Sequence, residues 1–506
     1  MKLKAIIPGL IFFFISLTGF TQVREDYLQL DEYFQKALND FEAPGLAVGI
    51  VKNGEVVLAK GYGFANNDTK TPVDANTVFG IASCSKAFTA ACVSILVDEG
   101  KLKWEDKVVD LLPGFRLYDP YITDELTVRD LLCHRSGYET FDGDLLWYGT
   151  DYSREEVIRR FRYRENPYSF REKFGYSNLM FIIAGEVIKE VSGKSWEEFV
   201  KEKILDPLGM ASTTTTNRGF DKRDNVAYPH LDGKVMGFID YDNAGPAATI
   251  NSSVNDLMQW VKLMLQKGNW NDTVIFSENQ YYTMVSPQTI LPAGRAEKTG
   301  GKHFSAYGLG WFLYDYQGMK VIHHSGGVPG FHAKVLFVPE DSLGFVILSN
   351  ELGGLVGALE HKILDYHLGD PERDWAKIYL DYVRQSKEQE KERIARMDSS
   401  RITGTKPSLE LNGYTGIFRD KMYGDAEIKL SDGQLTVTLL PAKELFHSPM
   451  EHWHYDTFSI DFSDPFLPKG LLTFHINEHG VADYFTLDVH SGDFHFQKLK
   501  FERVTE

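Results

Sequence analysis

A serine opens an apolar helical run at Ile81-Ala-Ser83-Cys-Ser-Lys86-Ala-Phe-Thr-Ala-Ala, and a lysine follows it three residues later. Positions i and i+3 lie on one helix face, so the ammonium can sit beside the hydroxyl. The helix N-terminus adds positive potential where an alkoxide and then an oxyanion must form. That dipole disfavours a lysine near a helix start, yet a desolvated lysine of lowered pKa is a known activator of serine. Ser-x-x-Lys arises about once or twice by chance in a chain of 506 residues at average composition, so its placement before a small, apolar helix carries the weight.

A second motif, Phe174-Gly-Tyr176-Ser-Asn178-Leu-Met-Phe, also stands just before an apolar helix. A tyrosine beside an ammonium can relay a proton, and an asparagine amide can hold both the lysine and a substrate carbonyl. Tyr241-Asp-Asn243 repeats the pattern in a loop-like stretch; the turn into a helix favours Tyr176 and Asn178. The third motif, Val321-Ile-His323-His324-Ser325-Gly326-Gly327, ends a strand. Its glycines let a substrate backbone approach the edge, and His324 adds a polar or cationic group there. The copy at His490-Ser-Gly492 reads as coincidence.

No metal or other cofactor is called for. His323 and His324 are strand neighbours and point to opposite faces. His452 and His454 have the i, i+2 spacing of a ligand pair, but exposed strand histidines are the commoner account. Cys84, Cys92 and Cys133 form no disulfide framework, and Cys84, though next to Ser83, reads as a small buried residue.

Taken in order, the three motifs resemble the serine β-lactamase and penicillin-binding-protein superfamily, in the branch of class C β-lactamases, D-aminopeptidases, DD-carboxypeptidases and related esterases. Leu131-Leu-Cys-His-Arg-Ser-Gly-Tyr138, Gly245-Pro-Ala-Ala-Thr-Ile-Asn-Ser-Ser253 and Ala306-Tyr-Gly-Leu-Gly-Trp-Phe312 are similar to the same family, over roughly residues 25 to 370. The resemblance implies Ser83 as nucleophile, Lys86 as its partner in deprotonation and Tyr176 as general acid/base. It implies that Asn178, His324, Ser325 and Gly326 bind substrate, and that the backbone N–H groups of Ser83 and Gly327 form an oxyanion hole. The chain departs from the β-lactamases at His324-Ser-Gly326, where they carry a lysine whose permanent charge meets a substrate carboxylate. The expected function is an exported serine hydrolase acting on an amide or ester, a D-residue peptide or a small ester. A β-lactamase is the enzymatic alternative. A non-catalytic penicillin-binding sensor is the alternative of another class; its expected sign is loss of one of Ser83, Lys86, Tyr176 or Asn178, and all four are present.

These residues must be positioned by a long chain with 43% hydrophobic and 25% charged residues, ordinary for a globular protein of two or three domains. The net charge of −17 argues against nucleic acid and anionic membrane surfaces as partners. Lys2 and Lys4 before an apolar stretch of about thirteen residues read as a signal peptide over residues 1–21, too short to span a membrane, with periplasmic or secreted localisation. Residues 22–374 read as the hydrolase domain. Asn53-Gly54 between two apolar runs predicts a hairpin, a helical middle follows, and strands return from Gly308 to Ser349 before a helix near Gly354 to His367. That order predicts an α/β (α+β) fold, an antiparallel sheet to which both chain ends contribute, flanked by helices and a helical subdomain. A charged helical linker (375–406) leads to a small all-β barrel (407–506), which resembles the lipocalin-like domain of some exported hydrolases. Phe446, His447, Trp453, Phe458 and Phe462 read as its core, with a binding pocket as the alternative, and the domain itself could be a binding module or a lid contributing residues to the active site.

Overall fold

The computed structural model describes residues 22–292 and 302–505. The expected signal peptide lies outside them. Among the described residues no helix is long and apolar enough to cross a membrane.

A ten-stranded antiparallel sheet organises the first part of the chain. Its strands are β1 (Gln22–Val23), β2 (Gly45–Lys52), β3 (Glu55–Asn66), β4 (Thr289–Leu291), β5 (Ser305–Tyr307), β6 (Phe312–Tyr316), β7 (Met319–Val328), β8 (Phe331–Val338) and β9 (Leu343–Ser349), ordered β1-β3-β2-β9-β8-β7-β6-β5-β4 with Thr71–Pro72 paired to β3. The expected hairpin joins β2 to β3, with positive φ at both Asn53 (52°) and Gly54 (80°), as the twist of a two-residue hairpin requires. β2 then pairs with β9, so the N-terminal strands complete a sheet begun by residues three hundred positions later.

The near-continuous apolar run of β2 follows from burial on both faces. Leu46, Val48 and Ile50 pack with Leu30, Phe34 and Leu38 of α1 (Leu28–Asp40) and with Leu359 and Ile363 of α5 (Leu355–Leu368). Ala47 and Val51 join the opposite core, against α4 (Val254–Leu265). Gly49 belongs there because a Cβ would collide with Val254 and Met258. Behind α4 sit α2 (Ser85–Asp98) and α3 (Asn178–Ser192), both buried nearly all round.

The 25-residue helix α6 (Trp375–Ser399) connects to a closed eight-stranded barrel of residues 416–503. Phe418, Phe458, Phe474, Phe485 and Phe501 fill its interior. Phe446, Trp453, Phe458 and Phe462 are buried as expected of a core, whereas His447 is exposed. The barrel docks on the helical subdomain through polar contacts. Tyr148 donates to Asp464 at 2.9 Å, Tyr152 to the Tyr423 carbonyl at 2.8 Å, and Lys498 pairs with Glu139. Asp142 is fully buried among Arg164, His495 and Lys498. Burial raises its carboxyl, but these three partners and the Glu139 N–H outweigh it and hold the group down at about 2. Glu139, Asp142 and His495 are close enough together to bracket a metal ion, yet the Lys498 ammonium already bridges the two acids and Arg164 also pairs with Asp142.

Candidate active site

Ser83 sits in a single 3₁₀ turn (Ala82–Cys84) that leads directly into α2. Ala82 is held at φ 48°, a left-handed conformation costly for a residue with a Cβ and sustained here by its surroundings. β7 supplies part of that support: a Cβ on Gly326 would run into the Ile81 carbonyl, so only glycine lets the strand close on the turn. Gly326 therefore does not line the pocket; it packs beneath the nucleophile. Ser85 is no rival, because its buried Oγ donates to the Ala82 carbonyl at 2.7 Å and accepts from the Ile250 N–H at 3.0 Å.

Lys86 is completely buried. Its Nζ donates to Ser83 Oγ (3.1 Å), Asn178 Oδ1 (2.6 Å) and the Ala247 carbonyl (3.0 Å). Burial, only partly opposed by the charge of Asp144, lowers its pKa to about 7. Asn178 opens α3 behind the cap of Ser177, and Gly185 in that helix gives Pro246 room to bring the Ala247 carbonyl alongside. The Asn178 amide is oriented in turn by Asp144, whose Oδ2 accepts from Nδ2 at 2.6 Å. Burial drives the Asp144 carboxyl well above the ordinary carboxylate range.

Tyr176 lies over this lysine, with Nζ 4.8 Å from the ring centroid. Burial raises the phenol far above its usual value, although the Ser83 hydroxyl pulls it the other way. The ring rests on His134, centroid to centroid 4.2 Å. Nδ1 of His134 accepts from the Ser177 N–H at 3.0 Å, so the neutral ring carries its proton on Nε2. Burial holds this histidine well below its usual pKa.

At His324 the structure selects between the two expected characters, polar or cationic. Its ring is buried, with Nε2 3.0 Å from the Tyr307 hydroxyl and Nδ1 2.6 Å from the Ser325 carbonyl oxygen. Burial and then the nearby Lys86 push it down to about 3, so it is a neutral polar group and not a cationic one. His323 turns to the other side, toward Lys334 Nζ at 3.1 Å. His452 and His454 are engaged by backbone, at the Tyr455 carbonyl and the Ile402 N–H.

A cavity of about 550 Å³ opens over these groups, lined by Ser83, Tyr176, Asn178, His324, Ser325 and Gly327 together with Asp144 and several aromatic rings. Lys86 lies under its floor. Sequence reasoning missed Asp144, for which no motif gave a signal, and gave no role to His134, although it stands in the quoted run Leu131–Tyr138. It also missed Phe466, Leu467, Ser491, Asp493 and Phe494, which come from barrel loops and form part of the wall. Ser491 belongs to the His490-Ser-Gly492 copy that read as coincidence.

The Beta-lactamase family model matches residues 30–368, and a model described as a domain of unknown function (DUF3471) matches residues 400–503. The unguisins hydrolase ungD' of Aspergillus campestris is 31% identical over 421 residues, which is 78% of this chain and 76% of that protein. Protein flp of Staphylococcus aureus is 28% identical over 331 residues, 64% of this chain and 62% of its own length. The octameric penicillin-binding protein homologue from Pyrococcus abyssi shares the fold, with a TM-score of 0.61 at 24% identity over 94% of this chain and 99% of the other.

Proposed function

This chain belongs to the β-lactamase family of hydrolase fold, and on that premise we propose that it is an exported serine hydrolase, cleaving an amide or ester through an acyl-enzyme on Ser83. The observation that carries the reading is the buried Lys86 ammonium 3.1 Å from Ser83 Oγ, with its pKa lowered to about 7. Near neutrality a large fraction of Lys86 is the free amine, able to take the Ser83 proton as Oγ attacks the carbonyl carbon. The backbone N–H groups of Ser83 and Gly327 face the oxyanion that forms. The Tyr176 phenol keeps its proton at neutral pH, so it can hand that proton to the leaving nitrogen or oxygen and recover one from Lys86 as the bond breaks. Water then attacks the ester carbonyl, passes its proton back through the same groups, and Ser83 is released. A relative named as a hydrolase supports the reaction class.

β-Lactam hydrolysis is the weaker reading, because the group opposite Ser83 is an uncharged histidine with no permanent charge to offer a carboxylate.

Turnover of a neutral aryl ester across the pH range tests the proposal. Since the active form holds Lys86 deprotonated, kcat/KM should rise with pH through about 7 and level off above it. The apparent value belongs to Lys86 coupled to Asp144, two hydrogen bonds away. Burial holds His324 well below its ordinary range, so this limb is assigned to Lys86. A rate that falls through the same range would contradict Lys86 as the base.

A further inference from the structure

His134 grips the Gly-Tyr-Ser-Asn turn at three points, although the proposed acyl transfer gives it no part. Its carbonyl accepts from the Gly175 N–H at 2.9 Å, and its Nδ1 accepts from the Ser177 N–H at 3.0 Å. Its ring lies against the Tyr176 ring, 4.2 Å between centroids. Among the described residues no other ring comes as near; Phe141 is next at 5.4 Å. One residue thus holds both flanks of Tyr176 and its side chain. His134 does so from φ 58°, a left-handed conformation that a residue with a Cβ keeps only where its surroundings over-determine it. Gly175 allows the close approach, because a Cβ there would run into the Tyr138 carbonyl.

The imidazole nitrogens matter as well as the shape of the ring. With Nδ1 an acceptor the proton is on Nε2, which is buried with no hydrogen-bond partner among the described residues. A buried donor without a partner is an uncompensated cost, so packing alone would be better served by phenylalanine. The contributing nitrogen is therefore Nδ1, which accepts from Ser177, the residue that caps α3 just before Asn178. The Tyr176 backbone is pinned separately. Its N–H donates to Thr140 Oγ1 at 3.2 Å, and its carbonyl accepts from the Phe141 N–H at 2.7 Å. A pinned backbone still leaves a side chain several staggered rotamers. The His134 ring removes that freedom by filling the space on one face of the phenol.

We propose that His134 is a positioning residue, seating the Tyr176 phenol and the start of α3 so that the phenol is aimed at the leaving group. It touches no reacting atom and acts through Tyr176 and Ser177. Its catalytic consequence rests on the Ser83 hydrolase reading. In that step the tetrahedral carbon expels the leaving oxygen or nitrogen, which takes the bonding electron pair. The Tyr176 O–H gives that atom its proton, and Tyr176 recovers one from Lys86. An activated phenol departs without this help, whereas a simple alcohol needs it.

The test joins a leaving-group series to amide hydrogen exchange, using the full chain as wild type, His134→Ala, His134→Phe and His134→Asn. Thermal melts show that each is folded, and the Phe and Asn variants decide the matter if His134→Ala does not fold. Values of kcat/KM are taken for esters of one acyl group, from nitrophenyl to ethyl. His134→Ala should lose at least about tenfold more on the ethyl ester than on the nitrophenyl ester, as a misdirected general acid would. A merely structural role would lower both alike. His134→Phe keeps a ring beside Tyr176 but no acceptor. It should recover most of the ethyl ester rate while the Ser177 amide exchanges faster. His134→Asn keeps an acceptor near the place of Nδ1 but no ring, and should do the reverse. Equal losses on both esters in folded variants, or unchanged Ser177 exchange in His134→Phe, overturn the proposal while turnover keeps the hydrolase reading. If wild type turns over neither ester, the hydrolase reading fails and exchange alone decides. Faster Ser177 exchange in His134→Phe, held back in His134→Asn, then sustains His134 as the residue that seats the turn, and unchanged exchange overturns it.

Discussion

Lys86→Met is expected to lower the acylation rate by roughly 10⁴-fold, within the range seen when a catalytic base is removed from a group that acts as a unit. Methionine fills much of the same space, so the packing of α2 against α3 is kept. The buried Asn178 Oδ1 and Ala247 carbonyl lose a donor, but a buried charge leaves with the lysine, and these terms oppose each other. The folded state should therefore survive, as a thermal melt would check, while the single-turnover rate of ester cleavage collapses. Activity within tenfold of wild type in a folded Lys86→Met protein would remove lysine from the role of base.

Gly326→Ala should cost roughly 100-fold in kcat/KM, although this glycine touches no substrate in the pocket. Its new Cβ would collide with the Ile81 carbonyl and approach Ala82 Cβ to 3.0 Å, so β7 and the Ser83 turn must separate. A misplacement of about 1 Å at a nucleophile is enough for such a loss. Overpacking adds a stability cost of about 1–3 kcal/mol. Gly353→Ala, where a Cβ meets nothing within 4 Å, is the control. Steady-state kinetics with denaturant melts on both variants would separate the effects, and an unimpaired Gly326→Ala would show that the turn is not held by this contact.

The parts of the site that read directly from sequence are those whose geometry is local. Ser83 and Lys86 are one helical turn apart, and the Gly-Tyr-Ser-Asn turn fixes Tyr176 and Asn178 at the start of α3. The Asn-Gly hairpin was legible for the same reason, as was the closing helix α5. The state of His324 was not. Its position on a glycine-rich strand is in the sequence, but its neutrality comes from burial beside Tyr307 and Lys86, which only the folded chain brings together. Asp144 escaped because its partners Asn178 and Lys86 are distant in sequence and no spacing rule links them. A lid that lends residues to the site was among the readings of the barrel, but the residues it lends escaped for a related reason. Its conspicuous aromatics belong to its own core or are buried elsewhere in it, whereas the residues it lends to the pocket sit in turns whose composition looks ordinary.

The most direct test of the central claim is intact-protein mass after exposure to a fluorophosphonate, with wild type, Ser83→Ala and Ser85→Ala treated side by side. Ser83 is reachable from the cavity and paired with Lys86, while Ser85 is buried and tied to backbone on both sides. A single adduct on wild type and Ser85→Ala, absent from Ser83→Ala, is the predicted result. An adduct that persists in folded Ser83→Ala, or none on folded wild type, would contradict Ser83 as the acylated nucleophile.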